Sequence, residues 1–285
     1  MRIRVWSIMV LAMLAGGCEK PAEPEAQQRA IEAGEAGPAA PISAAPLPSD
    51  TGTGAAEFAD GEGAGRAVNV SNDLYEFAFA YPDAAGAIPG LRKVLEQRLD
   101  DARAQLAASA RQDQKVAEQD GFPYRAHAFG ASWKVVASLP QWLSLSAELY
   151  EYTGGAHGMS NFDTLLWDRR TETVREPTDL FTSKAALSAA MRTRFCAALD
   201  RQRAKRRENP ITLDGDAMFS DCIDPVAETV ILGSSNGKTF DRIGVLIAPY
   251  SAGPYAEGSY EVTLPVDGAV MKALRPQYRS SFSIP

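Results

Sequence analysis

One short stretch holds most of the side chains in this sequence that could bind a ligand or act on one. It runs from residue 150 to residue 158 and reads Tyr-Glu-Tyr-Thr-Gly-Gly-Ala-His-Gly. Glycine lets the backbone reach positive φ and lets another chain approach closely, and imidazole is suited to proton transfer near neutral pH. We therefore predict a ligand-binding loop, whose candidate residues are Tyr150, Tyr152, Gly154, Gly155 and His157.

A second loop, residues 249–258, has the same Tyr, Gly and Pro character and contains Tyr250 and Tyr255. Aromatic rings stack on sugars and supply rigid contact area. We expect the two loops to lie side by side and to form one surface.

Catalysis is the alternative interpretation of His157, which could act as a general base with tyrosines and glutamates nearby. No Gly-x-Ser-x-Gly nucleophile motif accompanies it, and a histidine that hydrogen-bonds the glycine loop explains the pattern equally well. His127 lacks a second histidine at metal-binding spacing, and the acids around Asp214 lack the spacing of a calcium loop. We expect no catalytic set, no metal and no cofactor.

The N-terminus has the features of a lipoprotein signal. Arg2 and Arg4 precede an apolar run that is too short to span a bilayer, and Leu-Ala-Gly-Gly leads to Cys18. Residues 1–17 resemble a bacterial lipoprotein signal peptide, which implies that Cys18 is lipidated and becomes the new N-terminus. Glu19 after the cysteine implies, by the same resemblance, a periplasmic protein anchored in the outer membrane.

The next segment, residues 18–66, is predicted to be a disordered tether. Residues 19–66 include 13 Ala, 7 Gly and 6 Pro with a single aromatic residue, Phe58, which is too little to bury a core. Residues 67–285 carry 24 basic and 27 acidic side chains, a net charge of −3. This nearly neutral part is expected to fold, and it could divide into two lobes, 67–155 and 156–285.

Apolar periodicity predicts an α+β fold, with antiparallel sheets and two main helices packed on them. One helix follows Pro89-Gly90, and a second begins after Thr182 or Ser183 and ends in a cluster of arginines. That cluster indicates a solvated helix face, and no nucleic-acid partner is expected. The predicted strands are 75–81, 133–138, 141–152, 161–167, 172–176, 229–232, 240–247 and 260–264.

With Cys18 lipidated, Cys196 and Cys222 are the two remaining thiols. In an oxidising compartment we expect them to form a disulfide. The alternative is two independently buried thiols.

Three segments together resemble a known family: residues 150–158, Asp179-Leu-Phe181 before a helix, and Ile247-Ala-Pro-Tyr-Ser-Ala-Gly-Pro-Tyr-Ala-Glu-Gly258. The chain resembles the extracytoplasmic domain, of unknown function, that lysozyme-responsive anti-sigma factors share with the region preceding the catalytic domain of some peptidoglycan deacetylases. The resemblance implies a cell-envelope module that binds peptidoglycan or a lysozyme-like protein. We therefore expect a binding module anchored to the membrane by its lipid, with a glycan-modifying hydrolase or deacetylase that uses His157 as the alternative.

Overall fold

The computed structural model describes residues 64–207 and 219–285. The predicted signal peptide (residues 1–17), Cys18 and the predicted tether up to residue 63 lie outside these residues, as do Asp214 and Asp216. The first strand already begins at Arg66, the last residue of the predicted tether.

Six strands form the larger sheet, in the order β1-β2-β3-β4-β5-β6. All neighbouring strands pair antiparallel except β2 and β3, which pair parallel. The strands are β1 Arg66–Ser71, β2 Tyr75–Tyr81, β3 His127–Ser138, β4 Trp142–Tyr152, β5 Met159–Asp168 and β6 Thr173–Arg175.

A smaller antiparallel sheet, β7-β8-β9, follows in the chain, and four α-helices accompany the two sheets in the described residues. Its strands are β7 Thr229–Gly233, β8 Arg242–Ile247 and β9 Tyr260–Pro265. The helices are α1 Asp83–Gly86, α2 Pro89–Asp120, α3 Lys184–Arg207 and α4 Gly268–Ala273.

The first core lies between the larger sheet and α2. Alternate residues of β2, from Tyr75 to Tyr81, are buried, as expected for a strand with one face on a core. Leu91, Leu95 and Leu99 recur every four residues on one side of α2 and join the same cluster. The 32-residue α2 connects β2 to β3, which is the kind of crossover that a parallel pair requires.

The second core lies on the opposite face of the larger sheet. Adjacent residues of β4 divide between the two cores, since Leu143 packs in the first cluster and Trp142 in the second. The second cluster continues through the smaller sheet and the apolar side of α3, from Leu187 to Leu199. The cores therefore follow the two faces of one sheet, and the proposed lobe boundary at residue 155 falls in the loop that joins the paired strands β4 and β5.

These elements confirm the predicted α+β class, with antiparallel pairing dominant and two long helices packed on the sheets. Two features differ from the sequence-based expectation: β1 was not predicted, and the pairing of β2 with β3 is parallel. Ser183 accepts a hydrogen bond from the Ala186 amide at 3.0 Å, so it is the predicted cap of α3.

The predicted disulfide joins Cys196 on α3 to Cys222, with their Cα atoms 5.5 Å apart. It closes a 26-residue separation that includes the residues from 208 to 218, which are not described. The disulfide ties the segment after that gap to the helix.

Among the residues that the structure describes, no helix combines the length and the apolar character needed to cross a membrane.

Candidate ligand-binding site

The β4–β5 hairpin positions the first predicted loop. Its strands pair as far as Glu151 and Met159, so residues 153–158 make the connection. Gly154 has φ of 87°, a conformation that side chains with a Cβ rarely adopt. Gly158 is required for a different reason, because a Cβ there would lie 2.3 Å from the ring of Tyr150.

Side chains also hold this loop in place. The Gly155 carbonyl accepts a hydrogen bond from the Tyr152 hydroxyl at 3.1 Å and another from Arg125 Nη1 at 3.3 Å. Gly155 itself has no atom within 4 Å of the position that a Cβ would take. The loop therefore presents an open backbone at Gly155 while two neighbouring side chains fix its carbonyl.

The second predicted loop, residues 249–258, connects β8 to β9. Tyr250 adopts φ of 71°, an uncommon value for an aromatic residue, and its amide donates to the Gly253 carbonyl at 3.1 Å. Gly253 has no room for a side chain, since a Cβ there would lie 2.1 Å from the carboxylate of Glu257. Strained residues of this kind cluster at functional sites, where the surrounding structure must hold them.

The arginine-rich end of α3 supplies that support. Arg203 is fully buried and donates from Nε to the Ala252 carbonyl at 2.8 Å and from Nη1 to the Ser220 carbonyl at 3.3 Å. Arg207 forms an ion pair with Glu257, at 2.6 Å between Nε and Oε1. The prediction of a purely solvated face is therefore wrong for Arg203, because its guanidinium anchors the loop that carries the two tyrosines.

The negative charge on Glu257 is part of the ion pair that supports this loop. Burial by itself would raise the pKa of Glu257, but hydrogen bonds from Arg207 and from the Tyr260 hydroxyl outweigh burial, and the pKa lies below its usual value. Hydrogen bonding to Glu257 likewise raises the pKa of Arg207. Both partners are thus held in their charged forms at neutral pH.

The two loops meet through three aromatic rings. The rings of His157 and Tyr255 stack with centroids 4.0 Å apart and an interplanar angle of 23°. Tyr250 lies 6.3 Å from His157 and 5.7 Å from Tyr255 between ring centroids. All three side chains are exposed, with exposed fractions of 46% for Tyr250 and 37% for Tyr255. We call His157, Tyr250 and Tyr255 the aromatic cluster.

Hydrogen bonds fix the geometry of the aromatic cluster. The Tyr255 hydroxyl donates to the Gly158 carbonyl at 3.1 Å. His157 Nδ1 lies 3.0 Å from that same carbonyl, and Nε2 lies 3.4 Å from the Tyr250 hydroxyl. A neutral ring protonated on Nδ1 satisfies both contacts, with Nε2 as the acceptor. The imidazole therefore links the two loops as well as offering a ring face to solvent.

Tyr150 lies beneath this cluster and is less exposed. Burial raises its pKa, and electrostatic repulsion from Tyr255, Tyr152 and Glu76 adds to the effect. In the register of the sheet, Tyr150 is opposite Gly130, which in turn is opposite Ala78 on the next strand. These small residues leave the sheet beside Tyr150 without tall side chains.

The same face continues toward the edge strand β1 as a row of small or polar residues. Ser132, Glu76 and Asn69 on this face are exposed, whereas the second core covers only the part of the face nearer Trp142. An open sheet surface thus leads up to the aromatic cluster.

The structure brings together every predicted ligand-binding residue: Tyr150, Tyr152, Gly154, Gly155, His157, Tyr250 and Tyr255. It adds Glu76, Arg125 and Arg203, which sequence reasoning missed because nothing in a single sequence reports the strand register or the burial of one arginine in a basic run. His127 lies elsewhere, buried on the α2 side with Nε2 3.2 Å from Asp113 Oδ2. In the described residues, no three His, Cys, Asp or Glu side chains are grouped so that they could hold a metal ion.

The fold and the site together define an α+β domain with a preformed aromatic surface on two loops. Residues 68–160, about a third of the chain, match the protein-family model described as "Deacetylase PdaC". The match confirms the predicted resemblance over these residues. The matched residues run from within β1 through β2, β3 and β4, and they include the first loop with His157.

Two solved structures described as DUF3298 family proteins are similar to the chain. The one from Bacteroides fragilis is 16% identical, with a TM-score of 0.44, and the similarity covers 76% of this chain and 95% of that chain. The one from Pseudomonas aeruginosa is 19% identical, with a TM-score of 0.44, and the similarity covers 76% of this chain and 94% of that chain. No curated protein matches the chain.

Proposed function

We propose that this protein is a lipid-anchored cell-envelope module that binds the glycan strands of peptidoglycan through the aromatic cluster and has no catalysis of its own. Sugar rings present flat apolar faces bordered by hydroxyl groups. Exposed aromatic rings with polar tips suit such faces, since they combine rigid apolar area with hydrogen-bonding groups. Tyr250, Tyr255 and His157 provide both.

The observation that carries the proposal is the prearrangement of the aromatic cluster. Three exposed rings lie within 6.3 Å of one another between centroids, at interplanar angles between 23° and 34°. The anchors at Arg203 and Glu257 hold the loop below them, so little conformational entropy remains to be lost on binding. The open sheet face beside Tyr150 leaves room for a ligand that is longer than the cluster.

The test is retention of the full chain, purified in detergent, by insoluble peptidoglycan. Tyr255→Ala removes the ring that stacks on His157, and we expect affinity to fall about tenfold, which corresponds to about 1.4 kcal/mol. Phe122→Ala is the matched control, because Phe122 is an exposed aromatic residue that follows α2 and belongs to neither loop of the aromatic cluster. Equal retention of both variants, with unfolding unchanged, would contradict the assignment of the site.

A lysozyme-like protein is the other partner that the sequence resemblance suggests, and the same preparation tests it. Immobilised lysozyme replaces peptidoglycan in a parallel arm. Retention by lysozyme and not by peptidoglycan, lost in Tyr255→Ala, would replace the glycan by a protein ligand at the same surface.

An envelope-glycan hydrolase or deacetylase that uses His157 is the second candidate function. It is favoured by the description of the matching family model as a deacetylase, and His157 falls within the matched residues. Incubation of the full chain with peptidoglycan fragments, followed by mass spectrometry, tests this function. Loss of acetyl groups or cleavage of the glycan by the unaltered chain, but not by His157→Ala, would establish the enzyme in place of the binding module.

We further propose that the module stands on the periplasmic side of the outer membrane, held by a lipid on Cys18. Stable anchoring takes two acyl chains, since one holds only weakly. Cys18→Ala is expected to leave the precursor unprocessed or to release the protein from the membrane fraction, and globomycin is expected to block processing. A Cys18→Ala protein that is processed normally and stays in the membrane would contradict lipidation at this residue.

A further inference from the structure

A cleft of about 300 Å³ opens between the two sheets. Its floor is formed by β3, β4 and β5 of the larger sheet, and its walls come from β8, β9 and the C-terminal part of α3. This volume is at the lower end of the range for small-molecule sites. The residues that matter for its chemistry are Lys134, Ser146, Glu148, Arg206, Tyr260 and Glu261.

Ser146 is the first sign that the cleft takes a ligand. Its side chain is 1% exposed, and its Oγ has no hydrogen-bond partner among the residues that the structure describes. A buried hydroxyl without a partner is unfavourable, because it has lost its water and gained nothing in exchange. Since Ser146 lines the cleft, a polar group that enters the cleft would supply the missing partner.

Charges of both signs surround Ser146. Lys134 pairs directly across the strands with Ser146, and Glu148 is two residues further along the same face of β4. Within the described part of the chain, neither Lys134 nor Glu148 forms an ion pair. The larger sheet thus presents one cation and one anion at the cleft.

The opposite wall presents a second such pair. The Arg206 guanidinium lies 3.9 Å above the centre of the Tyr260 ring and donates a hydrogen bond to the Glu257 carbonyl, so it is held at the cleft. Glu261, which follows Tyr260 on β9, also lines the cleft. A ligand that carried only negative or only positive charge would meet repulsion from half of these groups.

Two elements lead from the cleft toward the aromatic cluster. Glu148 is followed two residues later, on the same face of β4, by Tyr150. On the other side, Arg206 is bonded to Glu257, which belongs to the loop that carries Tyr255. A ligand lying on the cluster can therefore send a short branch into the cleft.

We propose that this cleft is a second subsite that binds a short peptide with both carboxylate and ammonium groups, carried as a branch on the glycan. The carboxylate binds at Lys134 and Arg206, the ammonium binds at Glu148 and Glu261, and a peptide amide bonds Ser146 Oγ. The inference rests on the proposed function and narrows its ligand class to peptide-substituted glycan in preference to bare glycan.

The experiment measures the affinity of the full chain, in detergent, for two soluble probes. One is a peptidoglycan disaccharide with its stem peptide, and the other is the same disaccharide without the peptide. We expect the peptide-bearing probe to bind at least about tenfold more tightly. Because the added contacts are between charges at a partly exposed cleft, this preference should shrink as ionic strength rises.

Lys134→Glu reverses one charge on the floor of the cleft and is expected to bring the affinity for the peptide-bearing probe close to that for the bare disaccharide. Lys238→Glu is the matched control, because Lys238 is an exposed lysine in the β7–β8 loop, and this variant should retain the full preference. A circular-dichroism melt of each variant checks that it folds.

The outcomes separate the two proposals. Equal affinity for the two probes, or an equal effect of Lys134→Glu and Lys238→Glu, would overturn the subsite and leave the glycan-binding function standing. Binding of neither probe would overturn the proposed function and the subsite together.

Discussion

Replacing Arg203 by methionine is expected to destabilise the protein and to weaken ligand binding at the same time. The side chain is fully buried, and its guanidinium bonds two carbonyls from different segments, Ala252 at 2.8 Å and Ser220 at 3.3 Å. Methionine has a similar length and keeps the apolar contacts of the stem, so the substitution removes these two bonds together with the ion pair between Arg203 Nη1 and the half-exposed Asp200 carboxylate, at 3.3 Å.

The expected magnitude follows from the contacts. A hydrogen bond to a charged group contributes about 1.5 to 3 kcal/mol, so the two bonds together contribute about 3 to 6 kcal/mol. The substitution also removes the desolvation cost of a buried guanidinium, whose Nη2 has no hydrogen-bond partner among the described residues. This gain offsets part of the lost hydrogen-bond energy. We therefore expect the free energy of unfolding to fall by about 3 kcal/mol, which for a folded part of this size lowers Tm by about 6 to 12 °C.

Urea unfolding followed by circular dichroism measures this loss, and peptidoglycan retention measures the effect on the site. Arg201→Met is the matched control, since Arg201 is exposed on the same helix and its replacement should cost less than about 0.5 kcal/mol. Arg203→Lys keeps the charge but lacks the planar fork of donors, so it should restore only part of the stability. Arg203→Met and Arg201→Met with equal stability and equal retention would refute the anchoring role.

Three further changes test the structure around the site. Replacing Cys196 and Cys222 by serine removes a cross-link over 26 residues and should lower the free energy of unfolding by about 3 to 4 kcal/mol, as measured by urea unfolding. Gly158→Ala places a Cβ against the ring of Tyr150 and should cost about 1 to 3 kcal/mol in the same assay. Glu257→Gln should be less stable than the parent protein above pH of about 4.3. The difference in stability should shrink as pH falls through the lowered pKa of Glu257. The reason is that a carboxyl group whose pKa is lower in the folded state stabilises the fold only while it is charged.

A different result would contradict each of these three predictions. Labelling of both cysteines by an alkylating reagent under non-reducing denaturing conditions would exclude the cross-link. Gly155→Ala is the control for Gly158→Ala because the site of its Cβ is empty, and equal stability of the two would contradict the tight packing on Tyr150. A stability difference for Glu257→Gln that stays constant from pH 7 to pH 3 would show that the carboxylate charge does not support the loop.

Local periodicity was sufficient to predict most of the elements. In β2 the apolar residues alternate from Tyr75 to Tyr81, and in α2 leucines recur every four residues from Leu91. The local pattern of each segment therefore predicts its secondary structure. The disulfide could also be predicted, because composition left only two thiols in the expected compartment. The candidate loops were recognised by their unusual share of Gly and Tyr.

The strand β1 and the parallel pairing of β2 with β3 could not be predicted in this way. Arg66–Ser71 is short, polar on one face and adjacent to an Ala/Gly-rich segment, so its pattern is weak. Whether two strands run parallel depends on where the intervening helix returns the chain, which is a property of packing across 32 helical residues.

The sequence by itself determined which residues the site is made of: Tyr150, His157, Tyr250 and Tyr255 stand out by type and by their glycine-rich surroundings. Only the tertiary structure decided that they touch, since His157 and Tyr255 are 98 residues apart in the chain and their rings are 4.0 Å apart in space. It also decided that Arg203 is fully buried while Arg201 and Lys205, in the same basic run, are exposed. The physical reason is that side-chain type governs local preference, whereas burial, charge pairing and ring contact depend on which segments the two cores bring together.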